Sequence, residues 1–165
     1  VDEVESSSKR EAPYKLWADQ GWLHLCDGAT VDFHAVTQWF VDMVEKHDIR
    51  PLYGGYDAAL SGYWIEEMQD YGFDFEKIRQ GPYTWTYPFK RLGGLFEEHR
   101  IVSNNSPVLR WCVLNTGAKA TNADGIASLQ PVKTAKNKRI DGLVSLLNAY
   151  TCYCNHEDEY MRYVR

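Results

Sequence analysis

A three-layer α/β domain, with a mixed central sheet flanked by helices, is what the sequence predicts, and three observations predict it. Apolar residues recur at steps of three and four in several stretches, and these alternate with short runs that read as strands. One such run, Leu52–Tyr56, ends on the carboxylate of Asp57 and passes at once into a helical pattern. The last apolar helix opens on a second carboxylate, Asp141, within Arg139-Ile140-Asp141-Gly142. Ligand sites of open α/β sheets lie beyond the carboxyl ends of the strands, so Asp57 and Asp141 are the acids this chain is expected to bring together. An acid at a strand end facing an acid on a packed helix is one way to hold a hard divalent cation. Read alone, Asp57 also suits a helix N-cap and Asp141 a first-turn residue favoured by the helix dipole.

Residues 1–12 are polar and carry no periodic apolar pattern, so a flexible N-terminal segment is expected ahead of a single domain over 13–165. Pro13–Trp17 reads as a helical turn that lays Leu16 and Trp17 onto the body. Trp22–Cys26 alternates bulky and smaller residues and meets Asp27-Gly28, the pattern of a strand closed by a turn. Asp32 suits the N-cap of a helix whose stripe is Phe33, Val36, Trp39, Phe40, Met43 and Val44. His47-Asp48 and Pro51 mark its end. Within Leu52–Tyr56, Gly54 and Gly55 allow a neighbouring backbone to come close.

A second helix follows, with Leu60, Trp64, Ile65 and Met68 inward and Gly72 as its stop. Phe73–Arg79 alternates weakly and reads as a further strand. Pro82–His99 holds a helix entered around Tyr87-Pro88, with Phe89, Leu92, Leu95 and Phe96 on one side. Gly93-Gly94 inside it costs about 1 kcal/mol per residue relative to Ala, unless another element packs close there. Pro107 fits the first turn of a helix over Val108–Leu114. Asn122–Gly125 is a hairpin turn between Lys119–Thr121 and Ile126–Leu129. Ile140, Leu143, Val144, Leu147 and Tyr150 form the final stripe, and Cys152–Arg165 reads as a frayed helical extension.

Apolar residues at 44% and charged residues at 25% are both ordinary for a globular domain. The aromatic share of 14% is high and is assigned chiefly to the core. A net charge of -5 excludes general polyanion binding, so any nucleic-acid contact must come from a local basic patch or a bound metal. The one basic run supplies Lys133, Lys136, Lys138 and Arg139 beside Asp141, either as a solvated charge run or as contacts to DNA phosphates. Four cysteines, no secretory signal and no 18-residue apolar run point to a soluble, intracellular setting with reduced thiols. Cys152-x-Cys154-x-His156 hints at metal binding, but its spacing is not a usual zinc pattern. No Gly-x-x-x-x-Gly-Lys-Ser/Thr loop occurs, so no ATP site is expected in this chain.

Five stretches together resemble one family: Tyr56-Asp57 after a strand, Arg79-Gln80-Gly81, Pro107-Val-Leu-Arg-Trp111, the turn at Asp124-Gly125, and Lys138-Arg-Ile-Asp-Gly-Leu-Val-Ser-Leu146. In order and spacing, from about Pro13 to Tyr150, they resemble the C-terminal nuclease domain of the large terminase subunit of tailed bacteriophages. The resemblance implies an RNase H-like fold and an endonuclease that cuts concatemeric DNA during genome packaging in the cytoplasm of a bacterial host. It implies Mg²⁺ or Mn²⁺, two ions in the complete site, held by three acidic side chains. Asp57 falls on the family's second acid and Asp141 on its third. The first belongs on an opening strand upstream, so an incomplete site is expected here, with first strands missing. Relatives usually carry Asp-Pro-Trp where this chain has Asp57-Ala58-Ala59. Double-stranded DNA, the terminase ATPase domain, the small terminase subunit and the portal are the implied partners, with no membrane. Beside this stand two alternatives: a non-catalytic docking module of the same fold for portal or motor, and another RNase H-like enzyme such as a resolvase or integrase.

Overall fold

Two adjacent glycines set the spacing at the centre of the molecule, a computed structural model that describes residues 12–28, 30–59, 62–123 and 126–164. Strand β1 (Gly54–Tyr56) pairs in parallel with β2 (Phe75–Lys77), with Gly54 opposite Phe75 and Gly55 opposite Glu76. Successive strand residues face opposite sides of a sheet. A Cβ on Gly54 would run into the Phe75 ring, whereas a Cβ on Gly55 would lie 2.7 Å from Cys152 Sγ and 2.9 Å from the Asn148 carbonyl oxygen. Glycine is needed at Gly55 because a helix backbone lies against it.

That helix, α6 (Asp141–Asn155), forms one outer layer, with Leu143, Leu147, Thr151 and Cys152 buried. The other layer is an aromatic cluster carried by α2 (Phe33–His47) and α3 (Gly62–Asp70). Phe40 and Trp64 meet Phe75 at ring distances of 5.6 and 5.4 Å, and Trp64 Nε1 donates to Thr37 Oγ1 at 3.1 Å. Helix, sheet and helix give the expected α/β layering. The expected mixed sheet is divided, since the antiparallel part is a separate hairpin of β3 (Thr116–Ala123) and β4 (Ile126–Lys133). This hairpin lies on α4 (Pro82–Glu97), where Thr86 Oγ1 accepts from Leu129 N at 2.9 Å.

The remaining helices brace these layers. In α1 (Tyr14–Asp19), Tyr14 and Trp17 pack edge-on against Trp111 of α5 (Pro107–Leu114) at 5.9 and 5.7 Å. Helix α7 (Glu157–Tyr163) closes the described chain. The core runs from Ile78 through Trp85 and Leu92 to Leu143 and Leu147, the last fully buried.

Several expectations are corrected. Trp22–Cys26 is not a strand; no strand lies beside it among the described residues, and Trp22 and Leu25 are exposed. Helix α4 starts at Pro82 rather than near Tyr87-Pro88, because Gly81 takes φ 140° and Pro82 supplies the preset first turn. Pro88 then sits buried inside the helix. Nothing packs within 4 Å of a Cβ on Gly93 or Gly94, so their helix cost has no packing return. Trp39, expected inward, is 57% exposed; the helix turns Thr37 and Phe40 toward α3 instead. Tyr63 and Tyr83 are also fully displayed, so the aromatic share divides between core and surface. Ala12, at the end of the expected flexible segment, is buried. The expectations for residues 1–11, Leu60 and the Asp124-Gly125 turn lie outside the described residues.

Candidate active site

β1 runs toward its carboxyl end as α6 runs back toward its amino end. Tyr53, just before β1, stacks on His156 beyond α6, and Gly55 faces Asn148 and Cys152. Advancing along the strand therefore means retreating along the helix, and this brings Asp57 level with the first turns, where Asp141 lies. Both acids line one cleft of about 620 Å³. Parallel β2 ends at the same side, and from just beyond it Gln80 Nε2 donates to Asp57 Oδ2 at 2.5 Å. Asp57 Oδ1 also accepts from the Ala59 backbone N–H at 3.2 Å. Chain turn and neighbouring strand thus both fix the Asp57 carboxylate.

Asp141 is placed by the opposite layer. A Cβ on Gly142 would sit 3.1 Å from Cys112 Sγ, so the start of α6 lies tight on α5. Burial pushes the Cys112 thiol up, with the nearby Asp141 charge acting in the same direction, and keeps that thiol neutral. No side chain caps α6, and Asp141 is the one acid in its first turn. There the exposed helix N–H groups favour a carboxylate.

The walls of the cleft are largely aromatic, from Phe33, Phe40, Tyr53, Trp64 and Phe75. Its floor holds Asn148, 5% exposed, whose Oδ1 is buried with no hydrogen-bond partner among the described residues. Such an oxygen costs about 1–3 kcal/mol while it stays unpaired. Nothing in the sequence pattern singles out Asn148 or Gln80. Gln80 falls in a matching stretch, but only the parallel pairing shows that it reaches Asp57.

Carboxylate oxygens of Asp57 and Asp141, with an unpartnered amide oxygen deeper in the same cleft, form a donor set suited to a hard divalent cation. Among the described residues no group of three or more His, Cys, Asp and Glu stands close enough to hold a metal ion. Cys152 and His156 both reach Glu76, and Cys154 stands apart from them. Cys152 hydrogen-bonds Glu76 and burial pushes its thiol up to about 12, whereas Cys154 faces Arg91. All four cysteines are free.

The basic run forms the connection from β4 to α6. Asn115, buried beneath it, clips both ends: its carbonyl accepts from Thr134 N at 2.9 Å, and its Nδ2 donates to Arg139 O at 3.1 Å. Lys133, Lys136 and Arg139 are exposed and Lys138 is half-buried. Arg110 is exposed, and its neighbour Trp111 does the bracing. Among the described residues no helix is long and apolar enough to cross a membrane.

Comparison with known proteins gives three findings. The family described as "Terminase large subunit, endonuclease domain" matches residues 2–157. Protein YmfN of Escherichia coli (strain K12) is 26% identical over 156 residues, covering 90% of this chain and 32% of that protein. The crystal structure of the HK97 bacteriophage large terminase superposes with a TM-score of 0.76 at 21% identity, over 92% of this chain and 31% of that one. At that identity the likeness speaks to the fold. The chain spans about a third of the length of each of these relatives.

Proposed function

Because the chain belongs to the family of terminase large subunit endonuclease domains, we propose that it cuts double-stranded DNA during phage genome packaging, using Asp57 and Asp141 to hold Mg²⁺ or Mn²⁺. The observation that carries this reading is that both acids line one cleft where β1 ends and α6 begins. Asp57 and Asp141 would hold such an ion, which would supply water activation and charge stabilisation for phosphodiester hydrolysis when bound.

The chain's own residues supply placement. Gln80 and the Ala59 N–H leave Asp57 little rotational freedom, which lowers the ordering cost of ligation. Asn148 offers an amide at the cleft floor. Lys133, Lys136, Lys138 and Arg139 lead into Asp141 on a loop held at both ends by Asn115, and they take the phosphates flanking the cut. Exposed cations of this kind supply affinity without sequence preference. Among the described residues, the other edge of β1 carries no strand. In the whole protein the partners are the ATPase domain, the small subunit and the portal, in the cytoplasm of a bacterial host.

The absence of a third acid near the pair, among the described residues, favours a second reading, a non-catalytic module that docks to portal or motor. Plasmid nicking in Mn²⁺ separates the two. The nuclease reading expects metal-dependent nicking that is lost in Asp57→Asn and in Asp141→Asn. Nicking untouched by both substitutions, or no nicking at all, rejects it.

A further inference from the structure

Behind the acid cleft lies a second cavity of about 270 Å³, lined by Arg50, Leu52, Cys152, Tyr153, His156 and Tyr160. Pro51, Tyr53 and Ala149 line both cavities. The Tyr53 side chain is thus a shared wall, and its position is set from the far end of the chain. Its ring stacks on His156 with centroids 3.8 Å apart and planes 13° apart, and its hydroxyl donates to Glu159 Oε2 at 2.8 Å. His156 in turn meets Glu76 of β2 at 3.3 Å and Glu159 of α7 at 4.0 Å. Asn155 Nδ2 adds a 3.0 Å bond to Glu76.

We propose that His156 is a positioning residue that fastens α7 to the wall of the acid cleft, so that release of α7 frees Tyr53 and widens the cleft. Other ties of α7 to the body run through Glu157, and Tyr160 adds an edge-on ring contact with Tyr153 at 5.4 Å. Arg91 of α4 makes paired bonds to Glu157 at 2.9 and 3.2 Å, and Tyr153 OH donates to the same carboxylate at 3.0 Å. Helix α7 buries no residue of its own, so polar ties and one ring contact, rather than core packing, hold it. An element held in that way opens locally at far lower cost than the core.

The ionisable groups around the imidazole are Glu76 from β2, Arg50 and Tyr53 from the segment before β1, Cys152 and Tyr153 from α6, and Glu159 and Tyr160 from α7. The latch stands on geometry alone; only its consequence for cutting rests on the function proposed above.

Hydrogen exchange of the full chain, resolved by segment, tests it. His156→Ala is expected to speed exchange about tenfold or more in residues 51–57 and in α7 together, with the α4 core unchanged. Tyr53→Phe removes only the bond to Glu159 and speeds the same two segments about threefold. His156→Phe keeps a stacked ring and holds residues 51–57 within about threefold of the native rate. Should α7 loosen in His156→Ala and in Tyr53→Phe while residues 51–57 exchange at the native rate, the coupling is refuted whether or not the protein cuts DNA. If His156→Ala unfolds the chain, the Tyr53→Phe result decides alone.

Discussion

The two ends of the β1–α6 contact are built differently. At the rear, Gly55 lets the strand backbone onto α6, Leu147 is fully buried, and Tyr53, His156, Glu76 and Glu159 close a clasp. At the front, Asp57 and Asp141 line an open cleft and belong to no close cluster of metal-binding side chains among the described residues. The difference separates holding from acting. The rear fixes the angle between strand and helix, and the front brings two carboxylates to the lining of one cleft.

That division predicts a gradient of stability effects. Leu147→Ala, deep in the rear contact, should cost about 2–5 kcal/mol in urea unfolding. Gly55→Ala comes next at about 1–3 kcal/mol, because its Cβ meets a helix carbonyl that cannot swing aside. A loss below about 0.5 kcal/mol at Gly55 would mean that the strand and helix are less tightly seated than they stand here.

Mild acid should act on the clasp before the core. Burial pushes the Glu76 carboxyl up, but hydrogen bonds from Asn155, Cys152 and His156 outweigh it and hold the group below its ordinary 4.5. The bond from Arg91, joined by that from Tyr153, likewise lowers Glu157. A carboxyl depressed in the folded state adds stability that is complete above its unfolded value and disappears as pH falls through the folded one. Exchange in α7, corrected for intrinsic rates, should therefore rise below pH 4.5 while the buried part of α6 stays protected. Simultaneous loss of both would erase the distinction between the two ends.

The smallest stability effects belong to the acids. Asn keeps one of the two acceptors that Asp57 uses, so Asp57→Asn gives up one hydrogen bond and should cost about 1 kcal/mol, while Asp141→Asn should shift unfolding by no more than about 0.5 kcal/mol. Large losses would make them structural residues, the N-cap and dipole roles that each sequence position also permits.

What was legible in the sequence follows the same divide. Periodic apolar runs located α2, α3 and α6, and Asp32 caps α2 as expected, its side chain accepting from His34 N at 2.9 Å. That Asp57 and Asp141 line one cleft was legible because strand end and helix start are punctuated by local chemistry: Gly-Gly before Asp57, Asp-Gly opening α6. The stretch Trp22–Cys26 misled because alternation alone does not supply a neighbouring strand. Trp39 misled because bulk was taken for burial, whereas Thr37 is the buried residue, bonded to Trp64. Gln80, Asn148 and the His156 clasp were invisible because each depends on contacts between distant segments, which no local pattern encodes.

Mn²⁺ affinity across a double-mutant cycle of Asp57→Asn and Asp141→Asn bears most directly on the shared cleft. If one ion touches both carboxylates, each single change should weaken binding about as much as the pair does, a coupling of roughly 1 kcal/mol or more. Losses that simply add, or binding unchanged in the double variant, would mean that the two acids share no ion.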